Sequence, residues 1–288
     1  MSKALRAGTV LCSLAFSTSA FAEEPVLVPS AGFFVGMGGS FDSVSLDQDI
    51  GGNATSNAFD GTTLIATGQA GGPPASFDAT EPDFAPLAQL GYFSHFSESE
   101  WLWGAKFSYQ YLNTDLAIDR ALVPQFGSFT TTGPSPVTTP FTGTVVIGSA
   151  ETTVEHEMLL LGFIGRSFTH SYIYVGAGPA LFGTKSHIRN AIGFADIHGR
   201  PTDITGAPVS FSSSDWVWGG AAQVGVNYFL TSSWSLDMNY TFEGSSRYDV
   251  DYAAGFSNAR NGTTGFAHLD TSQQFTSQSF RISINKVF

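Results

Sequence analysis

The stretch that most constrains the fold of this chain runs from Trp216 to Phe242. Its second half alternates without interruption, with Trp234, Leu236, Met238, Tyr240 and Phe242 on one face and Ser235, Asp237, Asn239 and Thr241 on the other. A period of two indicates a β-strand with unlike faces. The first half alternates more weakly, and a short turn at 230–233 joins the halves. The stretch therefore predicts an antiparallel hairpin, packed against a second sheet in a sandwich or against lipid in a membrane barrel.

The first 22 residues have the features of a secretory signal peptide. Lys3 and Arg6 form a positive region, residues 7–16 form a short apolar run, and residues 20–22 read Ala-Phe-Ala. This order predicts cleavage after Ala22. We therefore divide the chain into a signal peptide at 1–22, a periplasmic leader at 23–31 and a β-barrel at 32–288.

Cysteine content and charge exclude several kinds of function. The single cysteine, Cys12, lies in the predicted signal, so the mature chain has no thiol for a disulfide, a nucleophile or a metal site. Only 12% of residues are charged, about half of what a soluble domain usually carries. Removal of Lys3 and Arg6 leaves 10 basic residues against 24 acidic ones, a net charge of −14. An acidic chain of this kind argues against nucleic acid as a partner.

The spacing of the alternating segments favours the barrel. Eight segments alternate, at 32–44, 86–96, 101–112, 153–168, 172–183, 216–229, 234–242 and 274–288. Three connections are tight turns, at 97–100, 169–171 and 230–233. The other four, at 47–85, 113–152, 184–213 and 244–273, are roughly 30–40 residues long and show no sustained period. Short and long connections alternate strictly, as in an outer-membrane barrel. The predicted fold is an all-β, eight-stranded antiparallel transmembrane up-and-down β-barrel with short periplasmic turns and four long extracellular loops.

Large aromatic residues are predicted to mark the two membrane interfaces. They lie near predicted strand ends, with Trp101, Trp103 and Trp234 at the periplasmic rim and Trp216 and Trp218 at the outer rim. Phe288 ends the last strand. Tryptophan and tyrosine concentrate at membrane–water interfaces, which a sandwich core does not require.

The mature chain resembles the small eight-stranded outer-membrane barrels of Gram-negative bacteria, the OmpA/OmpX-type and opacity-protein-like group. The resemblance rests on the signal peptide, the alternation of connection lengths, and the segments GFFVGMGG, YVGAGPALFG, GGAAQVGVNYFL and SFRISINKVF. It implies localisation in the bacterial outer membrane, contact with lipid and lipopolysaccharide, and recognition of the last strand by the barrel-assembly machinery. The peptidoglycan-binding part of the OmpA pattern does not follow Phe288.

Several charged residues fall on the predicted inward faces: Lys106, Asp237, Glu243 and Arg281, with Glu157 on a strand whose facing is ambiguous. Side chains just fill the interior of an eight-stranded barrel. Buried charges must be paired, because unpaired ones are very costly. We expect these residues to form a structural plug of ion pairs, with a gate or ion path as the alternative.

No constellation for catalysis, cofactor binding or metal binding is visible. The histidines are His95, His156, His170, His187, His198 and His268, and no pair has ligand spacing. Enzymatic barrels of the outer membrane need a histidine with a serine or acid partner near the outer rim, and none is readable here. The leading prediction is a non-enzymatic barrel with an envelope-structural, surface-interaction role and possible host or surface ligands at its loops. A small pore is the alternative, and a lipid-modifying enzyme is third.

Overall fold

The computed structural model describes residues 28–197 and 199–288. The predicted signal peptide, its cleavage site after Ala22 and residues 23–27 of the leader lie outside the described residues. Within them, no helix is long and apolar enough to cross a membrane. The described chain is built from β-strands.

Ten strands follow one another along the chain. They are β1 (Ala31–Asp60), β2 (Thr63–His95), β3 (Trp101–Thr131), β4 (Thr138–Ser167), β5 (Ser171–Ile197), β6 (Arg200–Asp203), β7 (Val209–Thr231), β8 (Trp234–Ser245), β9 (Tyr248–Asn258) and β10 (Thr263–Val287). Strand β6 is a short addition to the edge of β5. Strands β8 and β9 both pair with β10, so together they take one place in the sheet.

The sheet closes on itself as a ring of eight. The strand order is β1-β2-β3-β4-β5-β7-β8-β10, and β10 pairs with β1 over its whole length. At the closing point the amide of Phe288 donates to the carbonyl of Phe33 over 2.8 Å. The predicted eight-stranded antiparallel barrel and its three tight turns are confirmed. A closed ring leaves no unpaired sheet edge, as a strand structure in lipid requires.

The prediction of four long loops is wrong. Residues 47–85, 113–152, 184–213 and 244–273 lie mostly in the continuations of the strands, and β1 to β4 have 30, 33, 31 and 30 residues. A strand crosses a membrane in about 9–11 residues. At about 3.3 Å per residue and the usual tilt, about twenty further residues extend roughly 50 Å beyond it. We call residues 43–84, 113–154, 185–215 and 246–273 the extension.

Side-chain alternation places the apolar faces as the sequence indicates. On β1, Phe33, Val35, Met37 and Phe41 point outward and are exposed, while Ser40 and Asp42 are buried in the lumen. The ambiguous strand, β4, is also resolved. Its residues Leu159, Leu161 and Phe163 point inward, and Leu160 and Ile164 point outward.

The ring is interrupted at two seams, both in the extension. Strands β2 and β3 pair at Leu87–His95 with Leu102–Gln110, and again at Ala66–Gly71 with Phe126–Thr131, in the same register. Between these blocks the ladder is absent. Pro74, Pro82 and Pro86 have no amide to donate there, and the amide of Phe84 donates to the Asp83 side chain over 2.7 Å.

The second seam separates β7 from β9. Strand β7 pairs with β8 only from Gly219 onward, and β9 pairs only with β10. The seams lie four strands apart around the ring of eight, so they face each other across the barrel. The extension therefore consists of two half-sheets, one formed by β9, β10, β1 and β2 and the other by β3, β4, β5, β6 and β7. The β2–β3 ladder joins them at the tip, from Ala66 to Gly71, whereas the β7–β9 seam has no ladder.

Candidate functional site

The periplasmic end of the lumen is closed by an aromatic cluster. Its members are Phe34, Phe93, Leu102, Phe163, Tyr172, Tyr174, Phe229 and Val287, and all are buried. Tyr172 is central, because its ring lies 5.6 Å from that of Phe93 and 6.2 Å from that of Phe229. Val28 of the leader packs against the cluster from below. Aromatic rings at such separations attract each other beyond simple burial, so this end is firmly blocked.

Above the aromatic cluster lies a buried ion pair. Lys106 Nζ is 3.2 Å from Asp237 Oδ2, and both side chains are almost fully buried. The hydroxyl of Tyr174 accepts from Lys106 over 2.9 Å and donates to Asp237 Oδ1 over 2.7 Å. Gln89 Nε2 donates to Asp237 Oδ2 over 3.2 Å. Each charge therefore has a partner as well as a neutral hydrogen-bonding neighbour, as buried charges require.

A second ionic layer lies one level higher. Arg281 Nη2 donates to Glu157 Oε1 over 2.6 Å and also to Glu243 Oε1. All three side chains are fully buried. Nearby, Asp42 Oδ2 accepts from Ser40 over 2.5 Å and from Gln110 over 2.8 Å. One guanidinium thus links β4 to the neighbouring strands β8 and β10 across the lumen.

Two apolar layers fill the lumen beyond the charges. The lower layer includes Leu116, Leu159, Phe182 and Phe275. The rings of Phe182 and Phe275 meet edge-to-face at 4.7 Å across the lumen. The upper layer includes Ile50, Val123, Ile147, Ile188 and Tyr252. Burial raises the pKa of Tyr252 to about 12, so this layer adds no phenolate charge at neutral pH.

The predicted interface aromatics all point outward. Trp101, Trp103, Trp216, Trp218, Trp234 and Phe288 are exposed. Lys286 Nζ lies 5.1 Å above the Trp234 ring and donates to Ser233 over 3.0 Å, at the periplasmic end. Trp216 and Trp218 do not begin their strand as predicted, because β7 starts at Val209. Trp216 stacks on His156 at 5.9 Å. The membrane depth of all six residues stays a prediction.

The histidines that the structure describes do not converge on a common centre. His95 Nε2 is 2.8 Å from Ser167 Oγ at the periplasmic end, and His156 Nδ1 is 3.1 Å from the Tyr109 hydroxyl on the outer surface. His170 stacks on Tyr228, and His198 lies outside the described residues. Among residues 28–197 and 199–288, no group of three or more His, Cys, Asp or Glu side chains is placed to hold a metal ion.

Together these features define the class of protein. A closed ring of eight strands has an apolar outward face and a polar, charge-paired interior, which is the arrangement of a transmembrane β-barrel of the bacterial outer membrane. The sequence is similar to outer membrane protein P1 of Coxiella burnetii, with 25% identity over 236 residues. That alignment covers 81% of this chain and 75% of the relative. No family model matches the sequence.

Two solved structures align with most of the chain at low identity and low TM-score. OprG from Pseudomonas aeruginosa has 12% identity and a TM-score of 0.36, with 91% of this chain and 99% of that chain covered. Ail, the attachment invasion locus protein of Yersinia pestis, has 11% identity and a TM-score of 0.26, with 87% and 99% covered.

Sequence reasoning missed three lumen residues that complete the ionic layers: Asp42, Gln89 and Tyr174. The alternation already placed Asp42 on the polar face of the first strand, so its burial could have been inferred. Tyr174 gave no such signal, because an inward tyrosine next to outward Ile173 and Val175 resembles one more aromatic residue. Its role depends on Asp237, 63 residues away, and no local pattern reports a contact between distant strands.

Proposed function

We propose that the protein is a non-enzymatic, non-conducting outer-membrane barrel whose function lies in the extension that it holds outside the cell. The observation that carries the proposal is the filled lumen. An aromatic cluster, two ionic layers and two apolar layers occupy it in succession. Because every layer would have to move before an ion could pass, conduction is the less favoured role.

The extension is built as a rigid surface for interaction. Long strands hold it, and residues on a rigid scaffold are suited to binding. Its four segments contain 15 acidic residues and 6 basic ones. Such a surface favours basic or neutral partners and repels polyanions. Within the proposal, lipid and lipopolysaccharide surround the ring, the barrel-assembly machinery reads β10, and a host or surface ligand contacts the extension.

Two measurements on the wild-type protein test the proposal together, the first on refolded protein and the second on cells. In planar lipid bilayers we expect no steady channel at any voltage, since buried side chains fill the lumen of the described barrel. On cells of a non-adherent strain that displays the protein, we expect increased attachment to host-cell or matrix surfaces. An empty-vector strain is the control for attachment, and protein-free detergent is the control for conductance.

The outcomes separate the candidate roles. Steady channels on the nanosiemens scale would replace the proposal with the pore. Closed bilayers without any gain in attachment would remove the surface-interaction role and leave only an envelope-structural one. A changed lipid A profile in cells that express the protein would instead favour an enzyme.

A further inference from the structure

We propose that the cleft between the two half-sheets of the extension binds a small, uncharged and mainly apolar molecule that carries one hydrogen-bond acceptor. This inference goes beyond the display role, since it assigns a ligand to the interior of the extension rather than to its surface. It rests on the cavities between the half-sheets, the chemistry of their walls, and one buried donor without a partner.

Three cavities follow one another from the outer tip toward the membrane. The outermost has a volume of about 320 Å³ and is bounded by Ser56 and Thr67 on one half-sheet and by Phe141 and Ala195 on the other. Two smaller cavities of about 60 and 50 Å³ continue it downward. Small-molecule sites in proteins usually start at about 300 Å³, so the outermost cavity is large enough for a ligand of modest size.

The described walls of these cavities lack the charged side chains that are common on the outer surface of the extension. No described Asp, Glu, Lys or Arg lines any of the three, and His268 is their only described titratable residue. The walls consist largely of apolar side chains: Phe129, Phe141, Phe194, Ile197, Ile204 and Phe256. An ion would lose its hydration there without compensation. The site therefore selects uncharged molecules with an apolar body.

One polar group in the walls specifies a feature of the ligand. Gln125 is 5% exposed and lines both smaller cavities. Its Nε2 has no hydrogen-bond partner within residues 28–197 and 199–288. A buried donor without a partner costs about 1–3 kcal/mol, and such a group calls for an explanation. A carbonyl, ether or hydroxyl oxygen of a bound molecule would accept from this amide.

The seams explain how a molecule could enter. Each half-sheet is continuously hydrogen-bonded, whereas the contacts between them at the β7–β9 seam are few. Near the tip, Asn258 Nδ2 and Asn261 Nδ2 donate to the carbonyl of Asp203 over 2.9 and 2.8 Å. Asn261 also lines the outermost cavity. Because neutral hydrogen bonds each contribute only about 1 kcal/mol, opening the β7–β9 seam at these two bonds costs little, while the β2–β3 ladder keeps the half-sheets joined on the opposite side.

Equilibrium dialysis of the mature protein in lipid nanodiscs tests the proposal. The probes are 4-phenyl-2-butanone and n-butylbenzene, which have similar shapes and differ mainly by a ketone oxygen. Empty nanodiscs correct for partitioning into lipid. The wild type is expected to bind the ketone about three- to tenfold more tightly than the Gln125→Leu variant does, the contribution of one hydrogen bond. The same variant should bind the hydrocarbon at least as tightly as the wild type does, because the hydrocarbon has no acceptor to lose a bond.

Two further variants locate the site. Ala195→Phe fills the outermost cavity and should abolish binding of both probes, while Thr142→Phe, on the outward face of β4, should leave it unchanged. If Ala195→Phe does not refold, Thr202→Phe at the cavity rim replaces it. Binding no greater than to empty nanodiscs, or equal in the filled variant, would overturn the proposal. An affinity for the ketone that is unchanged in Gln125→Leu would overturn the role of Gln125. Neither outcome affects the conductance and attachment tests.

Discussion

Replacement of Arg281 by leucine is expected to lower the free energy of unfolding by about 3–5 kcal/mol, the usual cost of breaking a buried ion pair from one side. The guanidinium is fully buried and is the partner of both Glu157 and Glu243. Leucine would leave two carboxylates facing each other in the lumen without a cation. Urea unfolding in lipid vesicles, followed by tryptophan fluorescence, measures the change.

Two companion variants make the Arg281 result specific. Lys286→Leu removes a cation from the same strand, but its ammonium lies at the periplasmic interface, so the expected loss is below about 1 kcal/mol. Adding Glu157→Gln and Glu243→Gln to Arg281→Leu should recover much of the stability, because no uncompensated charge is then buried. Equal unfolding midpoints for Arg281→Leu and Lys286→Leu would contradict the inward facing of Arg281.

Replacement of Met238 by arginine is expected to cost about 2–4 kcal/mol, the penalty for a cation on the lipid face near the bilayer midplane. Met238 points outward from β8 and is paired with Val226 on one side and Ile282 on the other. Its neighbour Asp237 points inward and is buried. The loss should appear in lipid vesicles as a lower unfolding midpoint in urea.

The matched control for Met238→Arg is Thr142→Arg. Thr142 also points outward from a strand, but it lies in the extension, where the surroundings are water. The cost there should be within about 0.5 kcal/mol, as for ordinary surface substitutions. Similar losses at the two positions would mean that the outward face of β8 does not meet lipid.

The membrane half of the molecule could be predicted because lipid requires apolar side chains on the outward face of each strand, while the inward face carries polar ones. The alternation from Trp234 to Phe242 is the clearest case, and it correctly separates inward Asp237 from outward Met238. The tight turns could also be predicted from the sequence. The spacing of the alternating segments indicated three short connections, and all three are short in the structure. The ionic layers could be predicted only as a set of buried charges, because the choice of partner depends on the register of distant strands.

The extension could not be predicted, because its outer face meets water. Polar side chains are therefore allowed on both faces of its strands, and the alternation between apolar and polar residues is lost. Residues 47–85 carry small and polar side chains on both faces, which resembles a loop. Their strand form comes from pairing with β10 and from the β1–β2 hairpin, and sheet stability depends more on cross-strand partners than on local propensity. The seams were equally hidden, since the effect of Pro74, Pro82 and Pro86 depends on which neighbour each would have faced.

A nitroxide scan along β3 tests the central claim that one set of strands forms both the membrane ring and the extension. Residues 23–288 contain no cysteine, so single labels can be placed in a protein of this range without background. Labels at outward positions 103, 105, 107 and 109 should be accessible to oxygen, and those at 115, 117, 122 and 126 to a water-soluble nickel complex. The labels should stay restricted in mobility past Leu112, and their accessibility should continue to alternate between inward and outward sites there. Rapid, uniform motion from residue 113 onward would show a loop there and contradict this account.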